Sequence, residues 1–232
     1  MSALLLKSLS LAAALVAGSL TISAATDVSP HPKTETEWKA YFKQLEAAKD
    51  ARSAFLLGTY YAAGHPILSK GKPNHATAFR KYQEAAELGH PEAQYRLGYC
   101  YEHKLGVRRA SMDMAFKWYQ MAADQEVPEA QLRVGELYYQ EQGAYYDKEK
   151  AYLYLSKAAE RGIPDAQRML GDCHKLGWGT PRNDIMALKW YLIAARQENE
   201  IAIGNRDKLL PSLKKDEILA AEKAAKEFRA KP

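Results

Sequence analysis

Ala93-Gln94-Tyr95-Arg96-Leu97-Gly98 returns as Ala130-Gln131-Leu132-Arg133-Val134-Gly135 and again as Ala166-Gln167-Arg168-Met169-Leu170-Gly171, at spacings of 37 and 36 residues. A weaker copy, Ser53-Ala54-Phe55-Leu56-Leu57-Gly58, stands 40 residues upstream of the first of these. A fixed period of this length marks a chain built from stacked copies of one supersecondary unit, so the period decides the fold before any single element does.

Each copy carries a second block. It reads Trp118-Tyr119-Gln120-Met121-Ala122-Ala123, then Tyr154-Leu155-Ser156-Lys157-Ala158-Ala159, then Trp190-Tyr191-Leu192-Ile193-Ala194-Ala195, with Lys81-Tyr82-Gln83-Glu84-Ala85-Ala86 as the weaker first version. Apolar and small residues step by three and four within both blocks, as in Ala93, Leu97, Gly98 and Tyr101, or Ala115, Trp118, Tyr119 and Ala122. That spacing describes one face of a helix.

Breakers separate the blocks. Gly177-Trp178-Gly179-Thr180-Pro181 falls between the two blocks of the last copy, and Gly89-His90-Pro91, Val127-Pro128 and Gly162-Ile163-Pro164 follow second blocks. Glycine ends helices and proline opens them, so each copy predicts two helices and a turn. The small residues let the helices approach closely, and the aromatic at the start of the second block fills the space between one repeat and the next.

These residues resemble the Sel-one-like repeat family, a branch of the tetratricopeptide superfamily with the pattern Ala-x-x-x-Leu-Gly-x-x-Tyr, a Gly-x-Gly turn, then Lys-Ala-x-x-Trp-Tyr-x-x-Ala-Ala. The last copy keeps Gly171, Gly177, Gly179, Ala187, Trp190, Tyr191, Ala194 and Ala195. The second keeps Gly98, Tyr101, Gly106 and Val107 but has Lys104 where the family prefers glycine. The third keeps Asp147, Lys150 and Ala151 with an atypical turn over 141–146, and the first has a long connector, His65 to Asn74, and lacks the tryptophan. The resemblance implies an all-α, right-handed α-solenoid of helix-turn-helix repeats.

The expected organisation is a signal peptide over 1–25, a flexible linker over 26–34, an N-terminal capping helix over 35–52, four repeats over 53–202 (53–92, 93–129, 130–165 and 166–202) and C-terminal capping helices over 203–232. Tyr41-Phe42 falls in register with Trp118-Tyr119, which makes the N-terminal cap a lone second helix. Downstream, Asp207 stands where glycine is expected, as in the degenerate closing repeat whose polar outer face keeps such arrays soluble.

Composition narrows the function. Hydrophobic residues make up 47% of the 232-residue chain, ample for a core. The net charge of +5 is spread along the chain and gathered into no basic block, which argues against nucleic acid. Lys7, the apolar run Leu9 to Leu20 and the small residues Ser23, Ala24 and Ala25 read as an export signal cleaved after Ala24 or Ala25. The run is shorter than the roughly 20 residues a bilayer demands. The expected product is periplasmic or secreted, without stable membrane insertion after cleavage.

No catalytic, cofactor or metal site is expected. Cys100 and Cys173 occupy the same slot in two different repeats, held by Tyr60 and Leu137 in the others, which makes it a buried or half-buried structural position. Stacked helices lie roughly 8 to 10 Å apart, too far for a disulfide between these two cysteines. His103 and His174 lie near them but lack zinc-site spacing. His31, His65, His75 and His90 are scattered over loops, and neither G-x-S-x-G nor H-E-x-x-H occurs.

What remains is the first-helix surface that packing leaves over. In tetratricopeptide-like arrays it lines the concave groove, so the resemblance implies that Tyr95, Leu132 and Arg168 form one row and Arg96, Arg133 and Met169 the next, followed by Tyr99, Glu136 and Asp172. Arginine and tyrosine supply directional bonding and contact area at low entropic cost. The expected function is an exported protein-protein interaction scaffold or adaptor with protein partners and no cofactor. Two alternatives stand beside it. One is a secreted or periplasmic enzyme or small-molecule binder, because some relatives resemble proteins credited with β-lactam binding. The other is a regulator of a cell-envelope protein.

Overall fold

The computed structural model describes residues 32–231. The export signal and the first part of the linker, residues 26–31, lie outside the described residues. All regular structure among the described residues is helical. The helices are α1 (Glu35–Ala48), α2 (Ala51–Ala62), α3 (Pro66–Ser69), α4 (His75–Glu87), α5 (Pro91–Glu102), α6 (Met112–Asp124), α7 (Pro128–Tyr139), α8 (Lys148–Glu160), α9 (Pro164–Leu176), α10 (Asp184–Ala195), α11 (Glu200–Leu209) and α12 (Lys215–Glu227), with a 3₁₀ turn at Leu210–Ser212. None is long and apolar enough to cross a membrane. The chain divides into two compact units, Met1–Met121 and Ala122–Pro232.

The two helices of a hairpin start in different ways. First helices α5, α7 and α9 begin on Pro91, Pro128 and Pro164, whose fixed φ suits the first helical position and whose missing N–H would have been unpaired there. Their starts lie two residues ahead of the repeated hexapeptide. Second helices α4, α8 and α10 begin after Asn74, Asp147 and Asn183, whose side chains accept from the backbone N–H groups of Thr77, Lys150 and Met186.

The Ala-Ala pair ending each second helix has a structural explanation. The carbonyls of Ala85, Ala122, Ala158 and Ala194 accept from the backbone N–H of the residue five positions on. That bond belongs to a helix stop that passes through a left-handed residue, Gly89, Glu126, Gly162 or Glu198. The next carbonyl, of Ala86, Ala123 or Ala159, also accepts from the side-chain amide of Gln94, Gln131 or Gln167 in the following helix. These glutamines are at most 3% exposed. The second, third and fourth repeats therefore each tie themselves to the end of the one before.

Within a hairpin the conserved glycine is the contact point. A Cβ on Gly98 would lie 2.7 Å from the Tyr119 ring, and one on Gly171 would lie 2.5 Å from the Tyr191 ring. Gly58 meets Tyr82 and Gly135 meets Leu155 in the same manner. The expectation that aromatics fill gaps between repeats thus divides in two. The tyrosine of Trp-Tyr seals its own hairpin, while Trp190 packs with Ala158 and Ala159 of the preceding repeat and Ala166 and Leu170 of its own.

The Gly-x-Gly turns complete the joint. Gly106 has φ +76°, and a Cβ there would sit 2.2 Å from the carbonyl oxygen of His75; Gly179 has φ +65° and faces the carbonyl oxygen of Lys148 at 2.3 Å. His75 and Lys148 are the first residues of second helices, so each turn rests its bare backbone on the preceding repeat.

The connector of the first repeat does otherwise. His65, fully buried, caps α3 through Nδ1 and packs against Trp38, Phe42 and Tyr60, with ring centroids 4.6, 4.9 and 5.5 Å away. At the C-terminus, Phe228 packs on Trp190, and the backbone N–H of Lys231 donates to the Glu160 carbonyl at 2.8 Å.

Candidate interaction surface

In the first unit, α5 carries the three candidates Tyr95, Arg96 and Tyr99. Buried Ala93, Leu97, Gly98 and Cys100 hold the helix down and leave these three on the remaining face. The Tyr95 ring lies 5.6 Å from that of Tyr119, and the Arg96 guanidinium lies 5.9 Å from the Tyr95 centroid. Tyr99 is 38% exposed, and its ring lies 4.1 Å from His103 at the end of the helix. A guanidinium and two phenols thus sit along α5 with an imidazole at its C-cap, Arg96 beside Tyr95, which packs on Tyr119, and Tyr99 against His103.

In the second unit the matching positions differ. On α7, Arg133 and Glu136 form an ion pair with side chains about a third and a quarter exposed, whereas Leu132 is partly buried against the cores beneath it. On α9, Arg168 donates to Asp172 at 2.7 Å, and Asp172 also accepts from the Tyr191 hydroxyl at 2.7 Å and the Asn205 amide at 3.0 Å. Burial pushes the Asp172 carboxyl up from its ordinary range, against the pull of these donors. Arg168 and Asp172 therefore hold α9, α10 and α11 together. Met169 departs from the expected row: it lies in the core with Ala151, Leu155 and Cys173.

The sequence reading passed over a further aromatic group. Tyr139 lies 4.8 Å from Trp178, Tyr146 lies 6.4 Å from the same ring, and the Lys148 ammonium sits 5.2 Å from its centroid. In the sequence Trp178 reads as part of a helix-breaking turn, and an aromatic between two glycines is the signal for this group.

Both cysteines are free and buried. Burial pushes the Cys100 thiol up to about 11 and the Cys173 thiol up to about 12, so neither provides a thiolate at neutral pH. His174 is buried beside Tyr152, and His103 pairs with Tyr99 at the helix end. Among the described residues no three His, Cys, Asp or Glu side chains gather as a metal would need.

Helical hairpins repeated in register, the last three each tied by a buried glutamine to the end of the preceding second helix, define a helical-repeat protein of the α-solenoid class. The Sel1 repeat family matches residues 51–90, 91–127, 128–163 and 164–199, and the chain belongs to that family. Each match opens two residues before the repeat boundaries read from the hexapeptide, at or near the helix starts. The chain is 42% identical over 147 residues to mouse (Mus musculus) DAP3-binding cell death enhancer 1, covering 61% of this chain and 28% of that protein. It is 31% identical over 169 residues to chitin synthase regulator SKT5 of Saccharomyces cerevisiae, covering 71% of this chain and 18% of that protein. The chain thus spans less than a third of these relatives. Among solved structures, a Sel1 repeat protein from Oxalobacter formigenes superposes with a TM-score of 0.68 at 25% identity, over 85% of this chain and 81% of that one. The protective antigen c5321 of uropathogenic Escherichia coli superposes at 0.55 and 22% identity, over 97% and 53%, and shares the fold.

Proposed function

We propose that this protein is a non-catalytic scaffold that binds a protein partner along its first-helix faces, and that it does so after export to the periplasm or the exterior. The α5 face carries the reading: Tyr95 packs on Tyr119 and carries Arg96 beside it, Tyr99 packs on His103, and all three lie outside the buried face of the helix. Arginine and tyrosine held in place before binding give contact area and directional bonds at reduced entropic cost. Relatives named as a binder of one protein and a regulator of another support the assignment to protein recognition. Export rests on the pattern of Lys7, Leu9 to Leu20 and Ser23 to Ala25.

The contributing residues are Tyr95, Arg96, Tyr99, Leu132, Arg133 and Glu136. Arg168 and Asp172 act one step back, by fixing the helices of the last repeat. An enzyme would need a nucleophile beside a base, and the two thiols are protonated at neutral pH.

The test is capture from a native cell-envelope extract with the mature protein and with an R96E/Y99A/R133E variant of unchanged helical circular dichroism, followed by mass spectrometry. A protein held by the first and released by the second is the expected result. Identical sets on both, or an empty set on the parent protein, would overturn the reading. Pulse labelling with and without an inhibitor of signal cleavage tests export: a mature band starting at residue 25 or 26 is expected, and a full-length cytosolic product would refute it.

A further inference from the structure

A recess of about 320 Å³ opens between α8 and α10 of the second unit, with α9 as its floor. Its size is near the lower end of small-ligand sites and suits one small molecule or one side chain. Tyr152 and Leu153 contribute from α8, His174 from α9, and Lys189 and Trp190 from α10. Glu160 at the rim is already engaged by Lys231.

The polar groups of this recess are unspent. His174 is 6% exposed and Trp190 5%, yet neither the His174 Nδ1 nor the Trp190 Nε1 has a hydrogen-bond partner among the described residues. An indole N–H can only donate, and a neutral imidazole nitrogen can do so in one of its tautomers. A buried donor left without an acceptor costs more than a made bond returns. Lys189 adds a cation whose ammonium lies 4.5 Å from the Trp190 centroid; the Glu160 carboxylate, ion-paired with Lys231, acts on it only at longer range. Burial holds its pKa below the ordinary lysine value and outweighs the opposing pull of the Glu160 carboxylate.

From this grouping of one cation and two unused buried nitrogens against aromatic and aliphatic walls, we infer that the recess binds a carboxylate borne on a small apolar body. The carboxylate meets the Lys189 ammonium and takes the hydrogen bonds that His174 Nδ1 and Trp190 Nε1 offer, and the apolar body lies against Tyr152 and Leu153. The recess lies between second helices, so this inference does not depend on the first-helix surface proposed above. A free organic acid and the C-terminal carboxylate of a partner peptide share this chemistry.

The experiment uses the full mature chain labelled with ¹⁵N and follows its four tryptophan indole N–H signals, with that of Trp190 assigned from W190F. Titration with benzoate should move the Trp190 signal saturably in the millimolar range, and benzamide should not. K189Q, a change at the recess wall that leaves the hairpin contacts intact, should weaken benzoate at least tenfold, the loss expected of a charge-assisted contact. Acetyl-Gly-Phe as acid and as amide separates the sources. An acid that binds more tightly than benzoate identifies a peptide terminus, and binding of benzoate alone identifies a free organic acid. A Trp190 signal that stays still with both acids, or that responds equally to benzamide or in K189Q, would overturn the inference.

Discussion

Two ways of closing the same joint appear in one chain. In the second and fourth repeats, the turn between helices lays a glycine backbone onto the first carbonyl of the preceding second helix, Gly106 on His75 and Gly179 on Lys148. In the first repeat, the connector instead buries the His65 ring among Trp38 and Phe42 of α1 and Tyr60 of α2. The backbone solution tolerates no side chain, and its tolerance is set by φ and by tenths of an ångström. The side-chain solution tolerates ten connector residues but places a titratable ring where water cannot reach it. Packing demand is thus the same at both joints, while the vulnerability differs: steric in one, protonic in the other.

The steric joint should show the largest effect. Gly179→Ala combines a left-handed φ with a clash against backbone and should cost about 4 kcal/mol in urea unfolding of the second unit. Gly177→Ala, two residues away with its nearest neighbour at 3.5 Å, should cost about 1 kcal/mol. Equal losses at both sites would show that the close approach to Lys148 carries no energy.

The protonic joint comes next. Burial pushes the His65 imidazole down to about 4, so the unfolded chain binds the proton more tightly than the folded one. Its neutral form is fully compatible with the fold above the ordinary histidine pKa near 6.5, and stability falls as the pH drops from there toward 4, by about 3 kcal/mol in all. His65→Asn keeps an acceptor for the cap and should remove this part of the pH dependence, read as the difference between the two urea-midpoint curves. Parallel curves would sink the assignment.

A smaller effect is expected at the glutamine ties, which the His65 joint lacks. Gln167→Leu removes the amide that Ala159 accepts and the acceptor used by Gln197, and should cost about 1–2 kcal/mol. Smallest, and opposite in sign, is Lys104→Gly. Lys104 holds φ +57° in the slot that Gly177 fills at +71°, so the change should raise stability by about 0.5–1 kcal/mol in the same assay.

The helical hairpins were legible because repetition multiplies a weak signal: Leu97, Val134 and Leu170 fall in one slot, and all three are buried. The partner of the repeat glycine was legible only as a class, since spacing says that an aromatic is near but not that Tyr119 faces Gly98 while Trp190 looks toward the neighbouring repeat. The glutamine ties stood in plain view in three copies and were missed, because a polar residue beside an alanine reads as solvated until its carbonyl partner eight residues upstream is seen. The candidate surface was the least legible part. Asp172 depends on Asn205 and Tyr191, which are 33 and 19 residues away, and no local pattern foretells such a network.

The backward reach of Gln94, Gln131 and Gln167 gives the chain a direction. While it leaves the ribosome, the second helix of each of the first three repeats keeps a carbonyl short of its side-chain donor until the opening residues of the next repeat emerge. Synthesis from the N-terminus therefore adds each repeat to an end that is already prepared to receive it.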